Sequence, residues 1–264
     1  MSANQAIQTG EVWLVGAGPG DPELLTRKAE RLLQQASVVF YDALVGEGVL
    51  ALVPCHVRLV PVGKRSGRHS KDQKTIDALL VEAALAGERV VRLKGGDPAI
   101  FARAAEETAA CRAHGIPVRT CPGITAASAA AASLGSSLTL RGMARKLVFV
   151  TAHARAGEAL DLDWDALADP QATLAVYMGK AAASEVSRKL MSAGLDGGTP
   201  VAIIENASLP DERVIRTRLD LLGLSTRLAL ADGPALLLIG EAVRRPADSN
   251  ESEFVPAVQA NRVT

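Results

Sequence analysis

An apolar run that stops abruptly at glycine or other small residues occurs five times in this chain, and that punctuation constrains the fold more than any other feature. Residues 11–15 (EVWLV) run into Gly16-Ala17-Gly18-Pro19-Gly20, residues 89–93 into Lys94-Gly95-Gly96-Asp97-Pro98, and residues 117–120 into Cys121-Pro122-Gly123-Ile124-Thr125. Residues 173–177 end at Tyr177 before Met178-Gly179, and residues 201–205 end at Glu205. Short apolar runs bounded this way predict strands. Further strands are expected at 37–41, 59–62, 147–151, 213–218 and 235–240. The stretch after Asp21-Pro22, with Leu24, Leu25, Leu32 and Leu33, predicts a helix with Asp21 as N-cap and Pro22 at its first position. Ser70 and Gln73 read as a capping box for a helix through Ile76, Leu79 and Leu80 to Gly87. Other helices are expected from Pro98 to about Gly115, from Ala126 to about Leu134, and from about Ala181 to Ala193. Strand and helix alternate in the first half, and strands outnumber helices in the second. That pattern predicts an α/β protein with one domain over 11–121, a second over 122–243, and a polar, frayed tail over 244–264. Ligands of open α/β sheets sit beyond the carboxyl ends of the strands, so the five turns are expected to face one cleft.

Composition narrows the function. The 264 residues include 29 Lys+Arg against 29 Asp+Glu, so no global charge draws the chain to nucleic acid or membrane. Locally, Arg58, Lys64, Arg65, Arg68, Lys71 and Lys74 face a single acid, Asp72, with His69 among them. This reads either as a solvated loop and helix face or as an electropositive rim for a polyanion, reinforced by Arg141, Arg145 and Lys146. Aromatic residues are only 3% of the chain and none interleaves these bases, which removes the stacking platforms that nucleic acid needs and favours a small polycarboxylate. The cysteines, Cys55, Cys111 and Cys121, form no CxxC pair, which argues against disulfides and for a reducing cytoplasm. The four histidines have no ligand spacing, so no metal is expected. No apolar stretch approaches the ~18 residues of a membrane span, and residues 1–10 lack the apolar segment of a secretion signal.

The first turn, GAGPG, is open to three readings. Gly16 and Gly18 with Asp42 some way onward fit part of a dinucleotide fingerprint, and with it an NAD(P)-dependent oxidoreductase. Asp21 stands where that fingerprint wants Gly or Ala, and Pro19 lacks an N–H for a pyrophosphate. A bare strand-to-helix turn fits as well. Several uncharged small-residue turns suit a compact nucleoside such as S-adenosylmethionine better than a dinucleotide. Asp42 and Lys64 each follow a strand, at the ends of adjacent elements, and are the candidate proton carriers.

Taken together, VWLVGAGPGDPELLT (12–26), VVFYDALV (38–45), VGKRSGRHSKDQ (62–73), VVRLKGGDP (90–98), CPGITAASAAAA (121–132), VYMGK (176–180) and TPVAIIENAS (199–208) resemble the tetrapyrrole methylases, and among them those that methylate uroporphyrinogen III. The resemblance spans about Glu11 to Val243. It implies a two-domain fold with mixed sheets, helices on both faces and an active site in the interdomain cleft. It also implies a homodimer that uses S-adenosylmethionine to methylate uroporphyrinogen III at ring carbons 2 and 7, giving precorrin-2 for sirohaem, cobalamin or haem d1. Carried over by position, it places the cofactor on Pro19, Gly95, Gly96, Asp97, Ile100, Thr125, Ala126, Met178 and Ala207. It makes Asp42 a proton acceptor and Lys64 a proton donor, and it directs the substrate carboxylates to Arg65, Arg68, His69 and Arg141. The chain departs from the family where KGGDPFIFGRGGEE becomes KGGDPAIFARAAEE, with Ala99, Ala102, Ala104 and Ala105, and where LTHR becomes LTLR, with Leu140. Two rivals within reach of these residues are a methylase of a later precorrin and a non-catalytic tetrapyrrole or S-adenosylmethionine binder.

Overall fold

A computed structural model describes residues 6–63, 72–153 and 160–244. Among these residues the chain forms two five-stranded sheets. The first contains β1 (Val12–Gly16), β2 (Val38–Tyr41), β3 (Arg58–Pro61), β4 (Val90–Lys94) and β5 (Val118–Cys121), ordered β3-β2-β4-β1-β5 and parallel throughout. Every residue of β1 and β4 is buried, as the near-continuous apolar runs of a parallel sheet covered on both faces require. One face packs Trp13, Val15, Val39 and Leu93 against Leu32 and Leu33 of α1 (Arg27–Gln35), with Val49 of the short α2 (Glu47–Leu50). The opposite face packs Leu14, Phe40 and Val90 against Ile76 and Leu80 of α3 (Gln73–Leu85) and Cys111 of α4 (Ala104–Ala113).

The alanine-rich α5 (Ala126–Leu134) follows β5 and belongs to the second half, where Ala127 and Ala130 pack on Ala175, Ala202 and Leu238. The second sheet contains β6 (Lys146–Thr151), β7 (Ala172–Tyr177), β8 (Pro200–Glu205), β9 (Arg213–Arg218) and β10 (Ala235–Ile239), ordered β6-β7-β10-β8-β9. Only β6 and β7 pair in parallel; the other three ladders are antiparallel, so this sheet is mixed. Its other face is covered by α6 (Trp164–Leu167), α7 (Ala183–Ser192) and α8 (Leu222–Ala229).

Three helix starts differ from the sequence expectation. Asp21 does cap, accepting from Glu23 N–H at 2.8 Å with Pro22 at the first position, but the element is one 3-10 turn, Pro22–Leu24. The helix proper begins beyond Thr26, whose hydroxyl accepts from Ala29 N–H. The cap of α3 is Asp72, accepting from Thr75 N–H at 2.7 Å; Ser70, its expected cap, lies outside the described residues. The helix expected from Pro98 starts only at Ala104, because Phe101 and Arg103 adopt positive φ (50° and 57°) and interrupt it. An aspartate next to a free N–H and a left-handed residue each outweigh helix propensity at such boundaries.

Candidate active site

The five turns do converge. One cleft is lined by Pro19 after β1, by Gly95, Gly96, Asp97 and Ile100 after β4, by Thr125 and Ala126 after β5, by Tyr177 ending β7, and by Asn206, Ala207 and Leu209 after β8. The space between these residues is about 740 Å³, part of it open to solvent.

Three glycines lock the turns together, and one of them, Gly96, borders the cleft. A Cβ on Gly16 would lie 2.5 Å from Gly123 N, and one on Gly123 would lie 2.3 Å from Gly96 O, so the turns after β1, β4 and β5 approach backbone to backbone. Asp97 ties two of them, accepting from Ala99 N–H at 2.6 Å and from Gly123 N–H at 3.0 Å. Gly96 has φ +71° and borders the cleft with open space where a side chain would project, which keeps the floor flat. The same stitching removes the dinucleotide reading. Ala17 N–H donates to Lys94 O and Gly18 N–H to Gly96 O, Pro19 has no N–H, and α1 starts ten residues after Ala17, at Arg27. The turn therefore offers neither a phosphate cradle nor a helix N-terminus.

The remaining wall comes from the second sheet. Tyr177 is packed by Phe101 (ring centroids 5.1 Å apart) and Phe149 (5.7 Å). Its hydroxyl meets Thr125 Oγ1 at 2.5 Å and accepts from Ala127 N–H at 3.3 Å, and burial raises its pKa above the ordinary value. Glu205, fully buried at the end of β8, accepts from Ala231 N–H at 3.0 Å, Gly233 N–H at 3.1 Å and Lys180 Nζ at 3.2 Å. Burial pushes its pKa up, but these hydrogen bonds and the Lys180 charge together hold it below the ordinary carboxylate value. Glu205 thereby fixes the loop that carries Pro234 and Ala235 to the cleft. Among the described residues, the five non-glycine positions with positive φ are Phe101, Arg103, Met178, Asn206 and Ser208, all in loops that follow β4, β7 and β8. Backbone strain concentrated in this way is characteristic of binding sites.

Asp42 stands just after β2 beside this cleft. Its Oδ1 accepts from Leu44 N–H at 3.1 Å and faces Gly95 N–H at 3.4 Å; both Leu44 and Gly95 line the cleft. Of the other expected site residues, Pro19, Gly95, Gly96, Asp97, Ile100, Thr125, Ala126 and Ala207 are brought together here. Met178 is not in the lining: its side chain is exposed, with φ +54°. Arg141 lies on the exposed turn closed by the Leu140–Ala144 bridge, also outside the lining. Lys64, Arg65, Arg68 and His69 fall outside the described residues. Leu44, Ile204, Leu209 and Leu236 were not singled out from the sequence, since an apolar wall residue carries no motif. Among the described residues no group of three His, Cys, Asp or Glu is placed to hold a metal ion.

Of the alanines that replace glycine, Ala104 and Ala105 occupy the first turn of α4, where alanine raises helix propensity. Ala99, which replaces an aromatic residue, is exposed.

A two-sheet α/β chain whose strand-end turns close on one small-molecule cleft defines a class, and the chain belongs to the tetrapyrrole (corrin/porphyrin) methylases, whose family model matches residues 11–222. A uroporphyrinogen-III C-methyltransferase of Paracoccus denitrificans (strain Pd 1222) is 48% identical over 239 residues, covering 90% of this chain and 83% of the relative. A siroheme synthase of Gluconacetobacter diazotrophicus is 47% identical, and this chain spans 50% of its length. Among solved structures, the uroporphyrin-III C-methyl transferase of Thermus thermophilus complexed with S-adenyl homocysteine superposes with a TM-score of 0.76 at 41% identity, covering 89% of this chain and 93% of that one. A cobalt precorrin-4 methyltransferase superposes with a TM-score of 0.80 at 28% identity, covering 89% and 97%.

Proposed function

We propose that this chain is an S-adenosylmethionine-dependent C-methyltransferase that converts uroporphyrinogen III to precorrin-2 by methylation at ring carbons 2 and 7. The observation that carries the reading is the convergence of five small-residue turns on one largely apolar cleft with Asp42 beside it. A nucleoside fits such a site: Ile100, Ile204 and Leu236 offer apolar walls, while Gly96 and Ala126 let a flat ligand approach the backbone. The higher identity to uroporphyrinogen-III methylases supports that substrate over a later precorrin, because the two neighbours superpose about equally well and fold alone does not choose between substrates.

When bound, S-adenosylmethionine supplies an electrophilic sulfonium methyl. The residues of the chain then have to align a pyrrole carbon with it, and well-oriented reactants gain about 7–11 kcal/mol from proximity. The Asp42 carboxylate takes the proton whose loss restores conjugation, or stabilises cationic charge on the macrocycle. The resemblance assigns Lys64 as a proton donor, and Arg65, Arg68, His69 and Arg141 would meet substrate carboxylates from the rim. The resemblance also assigns Met178 to the donor, although its exposed side chain lies outside the cleft lining.

The two sheets are read as two domains, 11–121 and 122–243. Three free thiols support a cytoplasmic setting, and no helix among the described residues is long and apolar enough to cross a membrane. A homodimer is supported by the exposed leucines Leu221, Leu224 and Leu228 along α8 and the turn before it. Light scattering on the purified chain tests that assembly. The function is tested by incubating the chain with uroporphyrinogen III and methyl-labelled S-adenosylmethionine and weighing the product. Gain of two methyls is expected; gain of one points to altered specificity, and gain of none favours a non-catalytic binder.

A further inference from the structure

The central strand β4 carries two cations on one face where an apolar residue would pack. Arg92 and Lys94, two residues apart, are 4% and 3% exposed, and both bond to Glu107 of α4, which is fully buried. Arg92 Nε donates to Glu107 Oε1 at 2.9 Å, and Lys94 Nζ to its two oxygens at 2.8 and 2.7 Å. Burial, with the neighbouring Arg92 charge, lowers the Lys94 pKa despite the pull of Glu107. Buried ion clusters of this kind are often no more stable than apolar side chains of the same volume, so stability does not account for them. The cluster has one outlet. Arg92 Nη1 donates to Leu93 O at 2.9 Å and lies 3.5 Å from Phe40 O in β2, while Nη2 sits 3.6 Å from Asp42 Oδ2. That last distance is a charge contact rather than a hydrogen bond. The strand register explains it, because Asp42 lies one step beyond the pairing of Tyr41 with Leu93. With Oδ1 facing two backbone N–H groups, the Asp42 carboxylate is held from both sides.

We infer that Arg92, held by Glu107, to which Lys94 also donates, is a positioning residue that fixes the orientation of the Asp42 carboxylate beside the cleft. This rests on the reading of Asp42 as the group that meets substrate. Neither side chain is in the cleft lining, but Asp42 is partly exposed beside it whereas Arg92 is buried behind Asp42, so Arg92 acts through Asp42.

The test is a double-mutant cycle on the full chain, with single-turnover methyl transfer, calorimetric binding of S-adenosylhomocysteine and a thermal melt for each variant. Arg92→Met is expected to slow transfer about ten- to a hundredfold, the scale of a misplacement near 1 Å, with binding changed less than about threefold. In an Asp42→Asn background the same change is expected to slow transfer no further. Arg92→Lys keeps a cation beside Glu107 but is too short to serve Asp42 as well; it is expected to melt like the wild type and still transfer slowly. It carries the test alone where Arg92→Met does not fold. Full turnover in Arg92→Lys would overturn the inference and leave Arg92 a structural ion pair. So would an equal Arg92→Met loss with and without the Asp42 carboxylate. Wild-type turnover in Asp42→Asn alone would instead remove Asp42 from the reaction, and the inference with it, before Arg92 is touched.

Discussion

Gly123→Ala places one methyl group where three turns meet, and the structure gives the size of the effect. The added carbon would lie 2.3 Å from Gly96 O, 2.8 Å from Gly16 Cα and 2.9 Å from Gly16 C, all backbone atoms that no rotamer change can move. Relief requires the turns after β1 and β4 to separate, which stretches the 3.0 Å bond from Gly123 N–H to Asp97. Overpacking of this kind costs about 1–3 kcal/mol and a strained hydrogen bond about 1 more. Loss of glycine freedom in the unfolded chain returns about 0.4–1 kcal/mol, leaving a net loss of roughly 1–3.5. For a chain of this length that is a fall in Tm of about 2–14 °C. Gly135→Ala is the control: Gly135 has φ +61° with no atom near its missing Cβ, at the far end of α5 from the cleft. It should lose only about 1 kcal/mol, for backbone strain alone, and bind S-adenosylhomocysteine normally. Gly123→Ala should melt lower than this control and bind S-adenosylhomocysteine more weakly, because Gly96 borders the ligand space. Scanning calorimetry and titration read both quantities. A Gly123→Ala protein that melts within about 2 °C of wild type and binds normally would show that the glycine contact does not hold the cleft floor.

Asp42→Asn should lower single-turnover transfer by about 10²–10⁴ with little change in S-adenosylhomocysteine affinity, whereas a mere turn cap would cost about 1 kcal/mol of stability and no turnover. Tyr177→Phe removes the hydroxyl that meets Thr125 and Ala127, so calorimetry should show a loss of about 1–2 kcal/mol and weaker S-adenosylhomocysteine binding. Glu205 has its folded pKa held below the ordinary 4.5, so its contribution is full above that value and lost as pH falls through the lowered one. In melts followed downward from about pH 5, Glu205→Gln should therefore show a shallower fall in Tm than wild type; parallel curves would mean that the Glu205 pairing adds no stability.

What the sequence made legible were the features written locally. Strand ends at Gly16, Lys94, Cys121, Tyr177 and Glu205 were readable because apolar runs and small-residue turns are local signals, and the rule that ligands gather at strand ends then placed the cleft. Helix starts were less readable. Asp21 caps only a 3-10 turn while Thr26 and Asp72 cap the helices proper, each through one hydrogen bond, and the delayed start of α4 hangs on two left-handed residues that no propensity scale marks. The chemical reason for GAGPG was also hidden: the N–H groups of Ala17 and Gly18 are consumed by carbonyls some 80 residues further along, and only pairing of β1 with β4 brings those together.

The least readable element was the cluster behind Asp42, although its trace is in the sequence. Arg92 and Lys94 fall two apart in an otherwise apolar strand, which puts them on the same face of a sheet. Their partner Glu107 sits on the next helix, one of two adjacent glutamates, and only the fold tells them apart: Glu106 pairs with Arg103 on the surface while Glu107 turns inward. A chain built for stability alone would place valine or leucine at such positions, as β4 does at Val91 and Leu93 on its other face. Departures from a local rule gather where function is made, so a charged pair inside a buried parallel strand is itself a pointer to the carboxylate it serves.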